Sequence, residues 1–216
     1  MNSATIRTQI AGPAGALEAL LDKPPADYAG PLRGTAIIAH PHPLFGGTMD
    51  NKVVQTLARA FVLSGWQAVR FNFRGVGASA GSYDEGRGEL QDLLAVIADQ
   101  APQGPLALAG FSFGAFVTSH AVAALWPQRA LERIVLVGTA ATRFAVAPLD
   151  PALHARALIV HGESDDTVPL QDVMNWARPQ TLPVSVIPGV GHFFHGQLPL
   201  LRGLVVRHLQ GVSAAE

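Results

Sequence analysis

The sequence predicts an α/β fold, a mostly parallel central sheet with helices on both faces, and three observations predict it. Short, continuous apolar runs recur along the chain. Segments with helical periodicity lie between them. Near the middle, one run passes through a glycine-flanked serine directly into a helical segment. Continuous rather than alternating hydrophobicity marks strands covered on both sides. Alternation of strand and helix requires crossover connections, which make neighbouring strands parallel.

Taken in order, residues 6–10 and 16–21 flank the turn cluster Ala11-Gly12-Pro13-Ala14-Gly15 and read as a hairpin. Residues 22–31, with Pro24, Pro25, Gly30 and Pro31, read as a loop, so 1–31 is expected to add a hairpin and loop to the same sheet. The strands that follow are 35–39, 67–73, 106–109, 134–137, 157–160 and 184–187. Val53, Val54, Leu57, Ala58, Phe61 and Val62 share one helical face, ended by Gly65 as a cap. Leu90, Leu93, Leu94 and Ile97 mark a second amphipathic helix, and Leu201, Leu204, Val205 and Leu209 a last one. The stretch from 138 to 156 is too short to hold a substantial cap domain, so a site at the strand ends is expected to be open. Residues 1–216 are read as a single domain.

Composition narrows the function. With 216 residues, 49% apolar and 14% charged, the chain is long and hydrophobic enough to bury a core without staples. Its net charge of -1 with scattered Lys and Arg gives no footprint for nucleic acid or an anionic membrane, which points to a small, near-neutral ligand. The absence of Cys excludes thiol catalysis and thiolate zinc sites. Residues 1–9 carry no apolar signal-peptide core and no apolar run reaches spanning length, so a cytoplasmic protein is the expectation. A homodimer is compatible with the sequence.

Open α/β sheets bind ligands outside the carboxyl ends of their strands. At one such end stands Gly110-Phe111-Ser112-Phe113-Gly114. In a strand-to-helix turn this spacing lifts the serine hydroxyl out of the sheet, while the glycines let the two backbones close beneath it. A serine hydroxyl is a weak nucleophile and needs an imidazole held in one tautomer by a carboxylate. His161-Gly162-Glu163-Ser164-Asp165-Asp166-Thr167-Val168-Pro169 follows the strand at 157–160, and Gly189-Val190-Gly191-His192 follows the strand at 184–187. Asp165 is the preferred acid, with Asp166 read as a helix cap before Pro169 and Glu163 placed last. His192 is the preferred base, and His195 is assigned to the following turn.

The chain order Ser112, Asp165, His192 is the order expected of an α/β-hydrolase. From about Thr35 onward the chain resembles that superfamily, and within it the small bacterial serine hydrolases that carry a segment like Ala39-His40-Pro41-His42-Pro43-Leu44-Phe45-Gly46-Gly47. These relatives are often described as esterase-like or dienelactone-hydrolase-like. The resemblance implies an α/β-hydrolase fold and supports Asp165 and His192 in their roles.

The oxyanion of acyl transfer needs two N–H donors. Phe113, next after the serine, is one. In the loop after 35–39, Pro41 and Pro43 have no amide hydrogen, which leaves His42 and Leu44. By resemblance to the family's His-Gly-x loop, with Pro41 in the glycine position, His42 leads and Leu44 is the fallback. Leu44 and Phe193 are also carried as substrate-binding candidates.

Competing motifs are weaker. His40 and His42 form a potential metal pair, but no His-Glu-x-x-His accompanies them, so no metal is expected. Gly75-Val76-Gly77-Ala78-Ser79-Ala80 fits a dinucleotide fingerprint, yet residues 81–88 intervene before any helical period, so no cofactor is expected. Arg74 and Arg143 read as solvated or salt-bridged surface groups, with carboxylate binding as the alternative. The resulting expectation is a serine hydrolase that cleaves a carboxylic ester of a small-molecule acyl substrate through an acyl-enzyme on Ser112. Thioesterase, lactonase and peptidase activities share the machinery. A non-catalytic binding protein on the same fold is the reading from another class.

Overall fold

The computed structural model describes residues 5–211, so residues 1–4 and 212–216, which the sequence reading assigns to the same domain, lie outside the described residues. Eight strands form one sheet: β1 (Thr5–Gly12), β2 (Gly15–Asp22), β3 (Gly34–Ala39), β4 (Trp66–Phe71), β5 (Leu106–Phe111), β6 (Leu131–Val137), β7 (Ala157–Gly162) and β8 (Ser185–Ile187). Their spatial order is β1-β2-β4-β3-β5-β6-β7-β8. The hairpin β1-β2 is antiparallel and β2 runs antiparallel to β4, whereas every pair from β4 to β8 is parallel.

Five helices cover the sheet: α1 (Lys52–Leu63), α2 (Arg87–Gln100), α3 (Phe113–Leu125), α4 (Leu170–Ala177) and α5 (Leu198–Gln210). Side chains alternate across each strand and so feed two cores. Ile37, Leu108 and Leu136 pack with α2, α3 and α4 on one face. Ile38, Ala109 and Val137 pack with α1 and α5 on the other. This is the two-sided burial that continuous apolar runs require. None of the described helices is long and apolar enough to cross a membrane. Residues 138–156 form turns and the short 3-10 segment Pro151–Arg156, so no cap domain covers the strand ends.

Strand order decides where a ligand can sit. The chain leaves β3 toward β4 on one side and returns to β5 on the other, so the loops after β3 and β5 diverge and leave a crevice between them. His40 ties the first of these loops down. Its Nε2 accepts the Phe73 amide at 3.0 Å and its Nδ1 donates to the Pro41 carbonyl at 2.6 Å. Burial is the main cause that lowers the His40 pKa to about 4, so the ring is neutral and both nitrogens are occupied, which suits a loop anchor and not a metal ligand.

The glycine-rich segment after β4 has a comparable structural task. The Ala80 amide donates to Ala16 of the hairpin, and Glu18 accepts from the Asn72 side chain and the Ala78 amide. A Cβ on Gly77 would come within 2.6 Å of both Asn72 Nδ2 and Glu18 Oε2. Gly77 is therefore required for packing against β2, and α2 starts only ten residues later, at Arg87, where Glu89 caps the Gly86 amide. Arg74 is salt-bridged, one of the two expectations, but its side chain is largely buried and not at the surface. It makes a two-point ion pair with the fully buried Asp92 at 2.9 and 2.8 Å, because the absent side chain of Gly88 leaves a channel for it.

Candidate active site

Ser112 links β5 to α3 with φ 57° and ψ -117°, a conformation that L residues adopt only under constraint. The constraint is visible on both sides. A Cβ on Gly110 would lie 2.3 Å from the Gly114 carbonyl oxygen, and one on Gly114 would lie 2.4 Å from that of Ala39. The two glycines thus let α3 cross directly over β5 and against β3, and Ser112 is left at the tip of the turn. Its own amide donates to Val137 at 2.8 Å, which fastens the tip to β6.

The rings and carboxylate converge on it. His192 Nε2 lies 3.0 Å from Ser112 Oγ, and His192 Nδ1 lies 2.6 Å from Asp165 Oδ2. These partners assign the tautomer: Nδ1–H donates to the carboxylate and Nε2 accepts the hydrogen bond of the Ser112 hydroxyl. Gly138, at φ 53°, makes room for the imidazole, since a Cβ there would sit 3.1 Å from His192 Cε1. Phe111 packs against the same ring, with centroids 4.9 Å apart.

Asp165 is held by four groups. Its Oδ1 accepts the amides of Thr167 and Val168 at 3.0 and 2.7 Å, and its Oδ2 faces His192 and, at 3.4 Å, His161 Nε2. Burial pushes the carboxyl pKa upward. The hydrogen bonds from His192 and Val168, with the nearby imidazoles, outweigh burial and hold it below the usual carboxylate range. Asp166 does not cap α4 as expected, and Asp165 is the acid that accepts the amides of the turn before that helix. Asp166 is exposed, and α4 begins after Pro169 with no side-chain cap, because the turn from 165 to 168 points Asp165 inward at its own amides. Glu163 is also exposed and accepts the Gly189 amide at 2.9 Å, bracing the loop that carries His192.

His161 is a residue whose position in the motif was legible but whose contact was not. It is fully buried, its Nε2 donates to the Val168 carbonyl at 2.9 Å, and its Nδ1 has no partner among the described residues. Burial lowers its pKa, against the Val168 carbonyl and Asp165, which raise it. Only the i, i+4 spacing to Asp165 hinted at contact.

Ser112 and His192 line a cavity of about 300 Å³. Phe113, Phe144, Val168 and Phe193 contribute apolar walls, with His42 and Phe45 on the β3 side. Among the described residues, the amides of Phe113 and His42 meet no protein acceptor. That of Leu44 does, donating to His42 Nδ1 at 3.2 Å. Leu44 also departs from expectation as a substrate contact. The 3-10 turn Pro43–Phe45 rotates its side chain outward, 66% exposed and away from the cavity, and puts Phe45 at the rim instead. Phe193 does line the cavity. His195 stands outside it in the turn before α5.

Comparison with known proteins agrees with this picture. The family model described as serine aminopeptidase, S33, matches residues 44–150. An α/β serine hydrolase without a lid from Xanthomonas campestris is 36% identical, with 100% of this chain and 99% of that one covered at a TM-score of 0.86. An α/β serine hydrolase homologue from Coxiella burnetii is 39% identical, with 94% and 97% covered at a TM-score of 0.80. An uncharacterized protein of Rickettsia prowazekii is 38% identical over 115 residues, which are 51% of this chain and 47% of that protein, so the match spans about half of its length.

Proposed function

The chain belongs to the α/β serine hydrolases, and from that premise we propose that it hydrolyses carboxylic esters of small acyl compounds through an acyl-enzyme on Ser112. The observation that carries the reading is the series of contacts from Ser112 Oγ to His192 Nε2 at 3.0 Å and from His192 Nδ1 to Asp165 at 2.6 Å, at the mouth of an apolar cavity.

In this reading His192 takes the hydroxyl proton as Ser112 Oγ bonds to the ester carbonyl carbon. Asp165 stabilises the imidazolium that forms, and the free amides of Phe113 and His42 receive the oxyanion. His192 then returns the proton to the departing alkoxide as the C–O bond breaks. Water repeats the sequence on the acyl-enzyme and restores the serine. The positive end of α3 adds to the field at the oxyanion.

Ester rather than aminopeptide cleavage is supported by charge. Holding the free ammonium of a peptide would call for an acidic group in the cavity, and its lining has no Asp or Glu. The test is fluorophosphonate labelling together with turnover of a short activated ester. Label on Ser112, with losses of about 10⁶-fold in Ser112→Ala and about 10⁴-fold in Asp165→Asn and little change in Asp166→Asn, is expected. Equal, near-zero turnover in the wild type and Ser112→Ala would instead favour a binding protein on this fold.

A further inference from the structure

Among the described residues that line the cavity, Arg143 carries its one permanent charge. This residue sits on the loop after β6, exposed at the cavity rim, and none of the described carboxylates pairs with it. Arg7, Arg70, Arg74 and Arg87 each hold an acid, whereas Arg143 shares the lack of one with exposed arginines such as Arg59 and Arg202 and differs from those in lining the cavity that holds Ser112. Asp172 of α4 accepts the hydroxyl of the neighbouring Thr142 at 2.8 Å and forms no ion pair with Arg143. The guanidinium carbon lies 6.0 Å from the centre of the Phe45 ring, so the side chain reaches from the β6 loop toward the turn after β3. Its charge is felt at His42, whose pKa is lowered by burial first and by Arg143 second.

The cavity that holds Arg143 and Ser112 also has the apolar walls of Phe113, Phe144 and Phe193. A neutral acyl chain would satisfy the walls and leave the cation facing solvent. A molecule with an anion at the far end of an apolar spacer would satisfy both, and the guanidinium fork matches the two oxygens of a carboxylate. We infer that Arg143 determines specificity, selecting an ester whose reacting carbonyl is separated by an apolar or aromatic spacer from a free carboxylate, such as the half-ester of a dicarboxylic acid. The inference rests on the esterase reading above.

The experiment compares kcat/KM for p-nitrophenyl monoesters of dicarboxylic acids with p-nitrophenyl esters of monocarboxylic acids of matching chain length. Because Arg143 stands at a solvated rim, a preference of about five- to tenfold for the anionic ester is expected in the wild type, falling with added salt. The ratio should drop to about one in Arg143→Gln, invert in Arg143→Glu and persist in Arg202→Gln, which changes an exposed arginine away from this cavity. Ser112-dependent turnover with the same ratio in the wild type and Arg143→Gln would overturn the inference and leave the esterase reading intact. No Ser112-dependent turnover of either ester would overturn both.

Discussion

His161 Nε2 lies 3.4 Å from Asp165 Oδ2, the same oxygen that receives His192 at 2.6 Å. One carboxylate oxygen therefore faces two imidazoles, and His161 draws off part of the charge that would otherwise fall on His192. This makes His161 a positioning residue. His161→Phe keeps the buried ring volume and removes the donor. We expect kcat to fall about 3- to 10-fold with KM little changed. An unchanged kcat would show that His161 only fills space.

The crossing of α3 over β5 predicts a steep glycine requirement. Gly110→Ala would force a Cβ to 2.3 Å from a backbone oxygen, and Gly114→Ala to 2.4 Å, with no flexible side chain able to yield. Either change should cost about 3 kcal/mol or more, or prevent folding. Gly104→Ala is the comparison. Its φ is 80° but nothing lies within 4 Å of the added carbon, so only the backbone penalty of about 1 kcal/mol applies. Thermal or urea unfolding of the three variants measures the difference.

The Arg74–Asp92 pair predicts strong non-additivity. Arg74→Met leaves a fully buried carboxylate without its cation and should destabilise by about 3–5 kcal/mol. Arg74→Met with Asp92→Leu removes both charges and should be the milder change. Urea denaturation of the single and double variants closes the cycle. A double variant less stable than Arg74→Met would contradict the account of a buried charge left alone.

Stability should decline as the pH falls below about 6.5. His40 and His208 both have pKa values lowered from 6.5 to about 4, mainly by burial, and His208 also by Arg133. The unfolded chain takes up these protons below about pH 6.5, whereas the folded chain resists until about pH 4. The stabilisation is thus complete above pH 6.5 and is lost as pH falls toward 4, at up to about 1.4 kcal/mol per pH unit for each group. Asp165, held below 3.8, adds its own loss only in more acid solution. Denaturation curves at pH 7, 6 and 5 should show the decline, and His208→Gln should flatten it.

The main architecture was legible because its causes are local. Apolar runs at 35–39, 106–109 and 134–137 mark doubly covered strands, and Gly110 and Gly114 around Ser112 mark a tight turn. His192 and Asp165 could be named because each follows a strand, and strand ends share one rim in a parallel sheet. Asp166 was misjudged as a cap because Asp before Pro has the same local appearance whichever way the side chain turns. Phe45 in place of Leu44 was equally hidden, since the 3-10 turn at Pro43–Phe45 decides which of two adjacent apolar side chains faces the cavity.

By itself, then, the sequence determined the strand and helix segments, the turn at Ser112 and the chemical types available at the strand ends, since periodicity and backbone freedom are properties of neighbours in the chain. Only the tertiary structure decided that Arg74 is consumed by Asp92 while Arg143 is left open to the cavity, and that His161 shares a carboxylate with His192. Those outcomes depend on strand order and register, which set the distances between residues far apart in sequence.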